Sequence, residues 1–359
     1  MAAASVMMLQ ACSNEEIDLG NSGFTPGNSE VEIKLSSKGV QVSTDIETRA
    51  AIENTDKDLN MGVFCLARAK QEVNTTPADI DWSKWSGHVM KNVSSTLKGS
   101  NITWTGNYYY PISQFYAYDF YGYYPYVEDD RVSVTSNKVS VPFTLTGKED
   151  VIWGRATSTD AAGFSAGYFR KKDHYNEVPS LSMKHMLTRL KFTLKTGANN
   201  ADNNSSSDAE NMKVMSVKII SAKPNVNLEW TNSTEAADNA TLTTRDNSTA
   251  EFALCDTEGN AVTDIELAQG VNTTKTIGES IMLYPEQQYT LQVVLKSKST
   301  NEEFTTESTL SLQQTSGKFK AGKNYNVIIT VHGPKKIALN ASLTEWQDAD
   351  EGTDNNVIL

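Results

Sequence analysis

Apolar and polar residues alternate with a period of two along much of this chain. Val31-Glu32-Ile33-Lys34-Leu35 is the clearest case. Successive side chains of an extended strand point to opposite faces, so this pattern predicts a strand with one buried face. Alternating, β-branched or aromatic runs recur at residues 61–67, 115–126, 131–134, 138–145, 181–195, 212–222 and 241–243. They continue at 281–283, 289–295, 304–312, 325–331 and 337–343, and turn-forming residues separate nearly all of them. Only 77–85 and 150–156 read as short helices or turns. Many strands at short spacing, with no long helical pattern, predict an all-β chain built of sandwiches. Residues 196–211 are polar and turn-rich and read as a solvated hairpin loop. The domain boundary is expected near residues 173–179, just ahead of the alternating run Leu181-Ser182-Met183-Lys184-His185. No internal repeat is evident.

Composition narrows the function. The 359 residues carry 32 Lys+Arg against 44 Asp+Glu, a net charge of −12. That balance, with no concentrated basic face, argues against a nucleic-acid partner and against a polybasic membrane-surface role. Apolar residues are 38%, or about 44% with the 21 glycines, which is usual for a folded globular chain. The three cysteines, Cys12, Cys65 and Cys255, do not make a disulfide framework, and no pair has metal-ligand spacing. Cys65 and Cys255 fall in different expected domains and read as buried free thiols. The four histidines lie far apart, and no hydrolase, zinc-protease or phosphate-loop motif occurs. No enzyme chemistry, cofactor or metal is therefore expected.

The N-terminus carries an address. Residues 1–11, MAAASVMMLQA, are short, apolar and end in small residues, the pattern of a signal-peptide apolar region without a basic start. Leu9-Gln10-Ala11-Cys12 resembles a bacterial lipobox, with Gln10 where a small residue is usual, and Ser13-Asn14-Glu15-Glu16 follows at once. Cys12 is the expected lipidation site, and acyl chains would tether the exported protein through their buried CH₂ groups.

Four segments together resemble the fimbrillin family, the pilins of the type V pilus and their surface relatives. Met183-Lys184-His185-Met186-Leu187-Thr188-Arg189-Leu190-Lys191-Phe192 is similar to the strand that opens the family's C-terminal domain. Phe319-Lys320-Ala321-Gly322-Lys323-Asn324-Tyr325 resembles its penultimate element, and Ile337 through Trp346 its closing strand. Phe120-Tyr121-Gly122-Tyr123-Tyr124-Pro125-Tyr126, with Asp150-Val151-Ile152-Trp153-Gly154 downstream, resembles the aromatic strand and turn of the N-terminal domain. The resemblance implies two transthyretin-like β-sandwich domains in tandem. The layout expected is a signal peptide at 1–11, a lipidated propeptide with a first strand at 12–49, an N-terminal sandwich at 50–178 and a C-terminal sandwich at 179–359. It implies transit through the outer membrane as a lipoprotein, a cell-surface location in a fimbrium, and assembly with other pilin subunits. Glu47-Thr48-Arg49-Ala50 resembles the site at which an Arg-specific protease cuts in the family. Cleavage between Arg49 and Ala50 would remove Cys12 and the first strand together, leaving an unpaired edge that another subunit's strand fills. The donor is expected at the C-terminus, where Val357-Ile358-Leu359 ends the chain and residues 337–343 also alternate. A permanently anchored base subunit, or a surface lipoprotein that binds glycans or host ligands without polymerising, is the alternative.

Several patterns invite sharper readings. His185 and Arg189, four apart on one expected strand, would share a face with Leu187 and serve as satisfied strand residues. Residues 108–126 hold nine of the fourteen tyrosines. Most of these read as core; Tyr108, Tyr109 and Tyr110 do not alternate with polar residues and are the candidate exposed aromatic patch for a ligand. Gly322 is expected to supply a turn before the following strand. The acidic run 348–354 lacks the glycine position and terminal Glu of a calcium loop.

Overall fold

The computed structural model describes residues 30–38, 58–70, 80–113, 115–158, 163–199, 205–231, 240–312, 317–334 and 336–345, the last with side chains to residue 339. Cys12, Arg49, Ala50, Trp346 and the apolar tip 357–359 lie outside the described residues. The first half supplies β1 (Leu35–Lys38), β2 (Leu59–Ala69), β3 (His88–Lys98), β4 (Asn101–Trp104) and β5 (Tyr116–Tyr124). β6 (Ser133–Val134), β7 (Lys138–Thr144), β8 (Ile152–Ala156) and β9 (Ser180–His185) follow. The second half supplies β10 (Thr188–Thr196), β11 (Met212–Ala222), β12 (Asn225–Thr231), β13 (Ala240–Thr244), β14 (Ala250–Ala253) and β15 (Ile265–Glu266). It ends with β16 (Thr274–Leu283), β17 (Gln288–Ser297), β18 (Glu303–Ser311), β19 (Lys323–Gly333) and β20 (Lys336–Glu345). Helix among the described residues is confined to short turns, including α1 (Ala166–Phe169). The chain is all-β.

Seven strands close a barrel in the order β1-β4-β3-β2-β5-β8-β9. β1 completes the ring: it runs antiparallel to β4 and parallel to β9. The second half forms two open sheets, β16-β10-β19-β20 and β14-β11-β17-β18. A further sheet, β13-β12-β7-β6, joins the halves, because β7 pairs antiparallel with β12 from Lys138↔Thr231 to Thr144↔Asn225.

The burial pattern follows from this layering. β2 and β5 are buried on both faces and read as nearly continuous apolar runs. Val63 and Cys65 point into the barrel with Met61, Phe120 and Leu181. Phe64 and Leu66 point outward into a larger core with Tyr121, Tyr123 and Trp153. That core runs through Trp230 of β12 and on to Leu190, Phe192, Val217, Leu291 and Val327 between the open sheets. Trp230 is fully buried and packs against Phe64 at 5.5 Å, Tyr121 at 5.9 Å, Tyr123 at 6.2 Å and Trp153 at 6.4 Å between ring centroids. β17, by contrast, alternates strictly because one face only is covered.

Three local expectations change. Residues 152–156, read as helix or turn, form β8, because Gly154 and Arg155 sit between two paired strands and need no propensity of their own. The run 181–195 is two strands: β9 closes the barrel, and β10 starts a different sheet after the crossing at Met186–Leu187. His185 and Arg189 therefore do not share a strand face. The sheets do not part at residue 179, since β9 pairs within the barrel and β7 pairs with β12.

Candidate functional site

The feature that organises the barrel is the seat of its first strand. Its alternation places Ile33 and Leu35 inward, at 2% and 4% exposure, while Glu32 and Lys34 face solvent. Both side chains join the barrel core that contains Leu97, Ile102, Tyr110, Leu181 and Met183. On one side, Leu35 and Ser36 pair with Ile102 and Asn101 of β4, and the Ser37 N–H donates to Ser100 O at 2.8 Å. The same edge continues beyond β4. The Ile33 N–H donates to Tyr108 O at 2.8 Å, the Tyr110 N–H donates to Val31 O at 2.9 Å, and Glu32 bridges Tyr109. On the other side, Ser36, Ser37 and Lys38 run parallel to Ser180, Leu181 and Ser182. The Ser36 N–H donates to Pro179 O at 2.9 Å.

The seat is thus an eight-residue channel, Val31 to Lys38, with hydrogen-bonding edges on both sides and two apolar positions spaced two residues apart. Burying each of those side chains contributes about 1.5–3 kcal/mol, so the pair holds the strand with roughly 3–6 kcal/mol before any hydrogen bond is counted. Withdrawing the strand exposes two sheet edges and an apolar floor, a combination that pairs readily with another extended chain.

Tyr108, Tyr109 and Tyr110 belong to this site through their backbones. They are not one open aromatic patch. The segment is extended where it pairs with residues 31–33, so alternate rings take opposite faces. Tyr110 is buried at 4% exposure against Phe169 (5.1 Å), Tyr118 (6.1 Å) and Phe120 (6.2 Å). Tyr108 packs edge-on against Trp104 at 6.3 Å, and Tyr109 alone of the three has an exposed ring. Burial holds the Tyr110 hydroxyl well above the usual tyrosine range.

Other titratable groups are structural in their surroundings. His185 Nδ1 lies 2.6 Å from Asp150 Oδ2 at the barrel end where the chain crosses to β10. Arg189 donates from Nε to Ser280 Oγ at 3.0 Å, and burial brings its guanidinium down to about 10. Cys65 is a buried free thiol pushed up by burial, and Cys255 is a free, half-buried one. Gly322 has φ of +67°, the left-handed turn expected of it. Among the described residues, no group of three or more His, Cys, Asp or Glu is placed to hold a metal ion.

One cluster escaped the sequence reading. Asp119, 1% exposed on β5, accepts from Arg68 Nε at 3.1 Å, Arg155 Nη2 at 2.6 Å and Thr157 Oγ1 at 2.8 Å. A carboxylate inside the aromatic run Tyr118-Asp119-Phe120 was the available signal, because a charge there needs buried partners.

The site is thus a β-barrel completed by a short strand held on both edges, an arrangement built around strand pairing. The family model described as fimbrillin-like matches residues 48–346, and the chain belongs to that family. The family is one of structural pilus and adhesin proteins, located at the cell surface, and not of enzymes. No curated protein matches the chain in sequence. Among solved structures, the chain is similar to a proposed cell adhesion protein from Bacteroides uniformis, with 16% identity over 90% of this chain and 100% of that one, and a TM-score of 0.46. It is also similar to the fimbrial anchor protein Mfa2 from Porphyromonas gingivalis, with 9% identity over 88% of this chain and 97% of the other, and a TM-score of 0.33.

Proposed function

We propose that this chain is a pilus subunit exported as a lipoprotein on Cys12, whose first strand is a removable filler for an assembly groove. Cleavage between Arg49 and Ala50 by an Arg-specific protease releases Cys12 and residues 30–38 together, because all of them precede the cut. The observation that carries this reading is the seat of the first strand: Ile33 and Leu35 are buried, both strand edges are backbone-paired, and Arg49 lies eleven residues beyond Lys38. The vacated channel then takes a strand from a second subunit by β-strand addition. β20 is paired along its length with β19, so the donated segment in this reading is the tail after Glu345, ending in Val357-Ile358-Leu359. The donor needs apolar residues at positions two apart to occupy the places of Ile33 and Leu35.

The test is the N-terminus and intact mass of the protein sheared from its own cells. A chain beginning at Ala50 and free of lipid is expected, with Arg49→Ala retained at full length and unable to form denaturation-resistant ladders. A lipid-modified Cys12 on an uncut chain that still polymerises would overturn the trigger role. An uncut, lipid-bearing monomer would instead identify a tethered anchor or surface binder.

A further inference from the structure

The large apolar side chains most exposed to solvent among the described residues are Trp85, Ile112, Tyr175, Val178, Tyr109 and Phe115. They come from three separate segments, around residues 85, 109–115 and 175–178, and the barrel brings these to one end. The registers Leu66↔His88, Ala69↔Tyr116, Phe120↔Ala156, Arg155↔Ser182 and Ser36↔Ser180 place the end of β2, the starts of β3 and β5, the end of β8, and the starts of β9 and β1 at the same rim. The end of β4 joins them through Ser95↔Trp104. Trp85 enters β3, Tyr109 leaves β4, Ile112 and Phe115 enter β5, and Tyr175 and Val178 enter β9. The opposite rim is where β9 ends and the chain crosses to the other sheets, so this rim faces away from that crossing.

The rim is a firm platform. Tyr110, Phe164, Tyr168 and Phe169 plug the barrel mouth beneath it, with ring centroids 4.9–6.0 Å apart among Phe164, Tyr168 and Phe169, and Tyr110 at 5.1 Å from Phe169. The Tyr168 N–H donates to Ser165 Oγ, capping α1. Rings in the plug are paired with one another. By contrast, Trp85 (87% exposed) and Tyr175 (58%) stand largely in solvent, with Tyr109 (36%) partly so. Single exposed apolar residues are ordinary, but their concentration on one rim is not.

We infer that this rim binds neutral carbohydrate. Sugar C–H groups carry partial positive charge and pack on the negative face of an aromatic ring, while their hydroxyls need neutral donors and acceptors alongside. Both requirements are met here. Residues 105–116 contain no Asp, Glu, Lys or Arg, and Asn107 lies beside Tyr109 with its amide 3.4 Å from the Tyr109 hydroxyl. Around the other rings, Lys84 pairs with Asp81 at 3.3 Å and His174 Nδ1 lies 2.9 Å from Glu177, so these charges are matched locally. A protein hot spot, by comparison, is a closely packed apolar centre sealed from water, whereas these rings rise from separate loops with polar residues between them. The basic run Arg170-Lys171-Lys172, followed by Asp173, sits on the loop that carries Tyr175 and is the feature an acidic ligand would use instead. Trp85 and Tyr175 lie outside residues 30–38, whereas Tyr109 is held by the backbone of residues 31–33, so the test uses the full chain with its first strand in place.

The experiment is a screen of the full chain on arrayed neutral and acidic glycans, followed by titration with maltohexaose, cellohexaose and chitohexaose. Trp85→Ala and Tyr175→Ala are compared by the same titrations, and their circular dichroism checks that these exposed substitutions leave the fold intact. Binding to at least one neutral glycan is expected, weakened about tenfold or more by Trp85→Ala. No retained glycan overturns the inference. So does binding that Trp85→Ala and Tyr175→Ala leave unchanged, or binding confined to acidic glycans and lost in Lys171→Glu. Concentration-dependent self-association that vanishes in Trp85→Ala, with no glycan bound, would assign the rim to a second copy and also overturn it.

Discussion

Replacing Trp230 with alanine is expected to destabilise the whole chain, although the residue belongs to β12, beyond the barrel in sequence. Trp230 is fully buried, and its indole meets Phe64, Tyr121, Tyr123 and Trp153, four rings from three barrel strands. Truncating a buried Phe or Trp to Ala costs about 3–5 kcal/mol through lost burial plus the cavity left behind. The upper part of that range applies here. β12 is held on both sides by β7 and β13, so the backbone cannot collapse into the space. The stacked contact with Tyr121 and the edge-on contact with Phe64 are each worth about 0.5–1.5 kcal/mol beyond area. A loss of about 4–5 kcal/mol is a large part of the roughly 5–15 kcal/mol that holds a domain together. Urea unfolding followed by circular dichroism measures the global loss. In a chain with Cys12 and Cys255 replaced by serine, reactivity of the Cys65 thiol, which lies inside the barrel, reports the barrel alone. Both midpoints are expected to fall together. A loss under about 1 kcal/mol, or a Cys65 midpoint that stays in place while the rest shifts, would refute the account of one core spanning the two halves.

Asp119→Asn is expected to cost about 3–5 kcal/mol, because Arg68 and Arg155 would remain buried without their counter-charge; an unchanged thermal midpoint would contradict this. Leu35→Ala is expected to lower the stability of the full chain by about 2–4 kcal/mol, read from urea denaturation curves of the two full-length chains; an unchanged midpoint would contradict the burial of the first strand. Burial raises the hydroxyls of Tyr110, Tyr118, Tyr121, Tyr123 and Tyr289 above the ordinary tyrosine value near 10. Their stabilising contribution is complete below the unfolded value and is lost as pH rises above it, since the unfolded chain releases those protons first. An alkaline titration followed by tyrosinate absorbance should therefore show a subset of the fourteen tyrosines ionising in the native chain and the rest appearing only with unfolding. A single transition near 10 with the fold intact would contradict the burial assigned to these rings.

Much of this molecule was legible from residue order, and the failures have physical causes. The buried face of residues 31–35 reads correctly because Ile33 and Leu35 alternate with charges, although the paired strand itself runs from Leu35 to Lys38 and only Glu32 bridges ahead of it. β8 was missed because a five-residue strand containing Gly154 and Arg155 has little propensity, and pairing on both sides supplies what propensity does not. The aromatic segment 108–110 reads as a surface in residue order because three tyrosines in a row have no polar partner positions. Its extended backbone, held by Val31 and Ile33, turns one ring into the barrel mouth and another outward. Of the exposed rim, only Tyr109 stands in a segment whose residue order suggests a surface; Trp85, Tyr175 and the others come from loops that only the barrel closes into one ring.

What residue order determined by itself is the all-β class, the faces of the alternating strands and the approximate place of most turns. These depend on side-chain periodicity and turn chemistry, which act over a few residues. Tertiary structure alone decided that β1 lies between β4 and β9, that β7 reaches across to β12, and that Trp230 meets the barrel at Tyr121. Every backbone carries the same hydrogen-bonding groups, so a strand's partner is not written in its own alternation. Partnership and register are chosen when buried faces from distant segments are packed together and each remaining edge must find a neighbour.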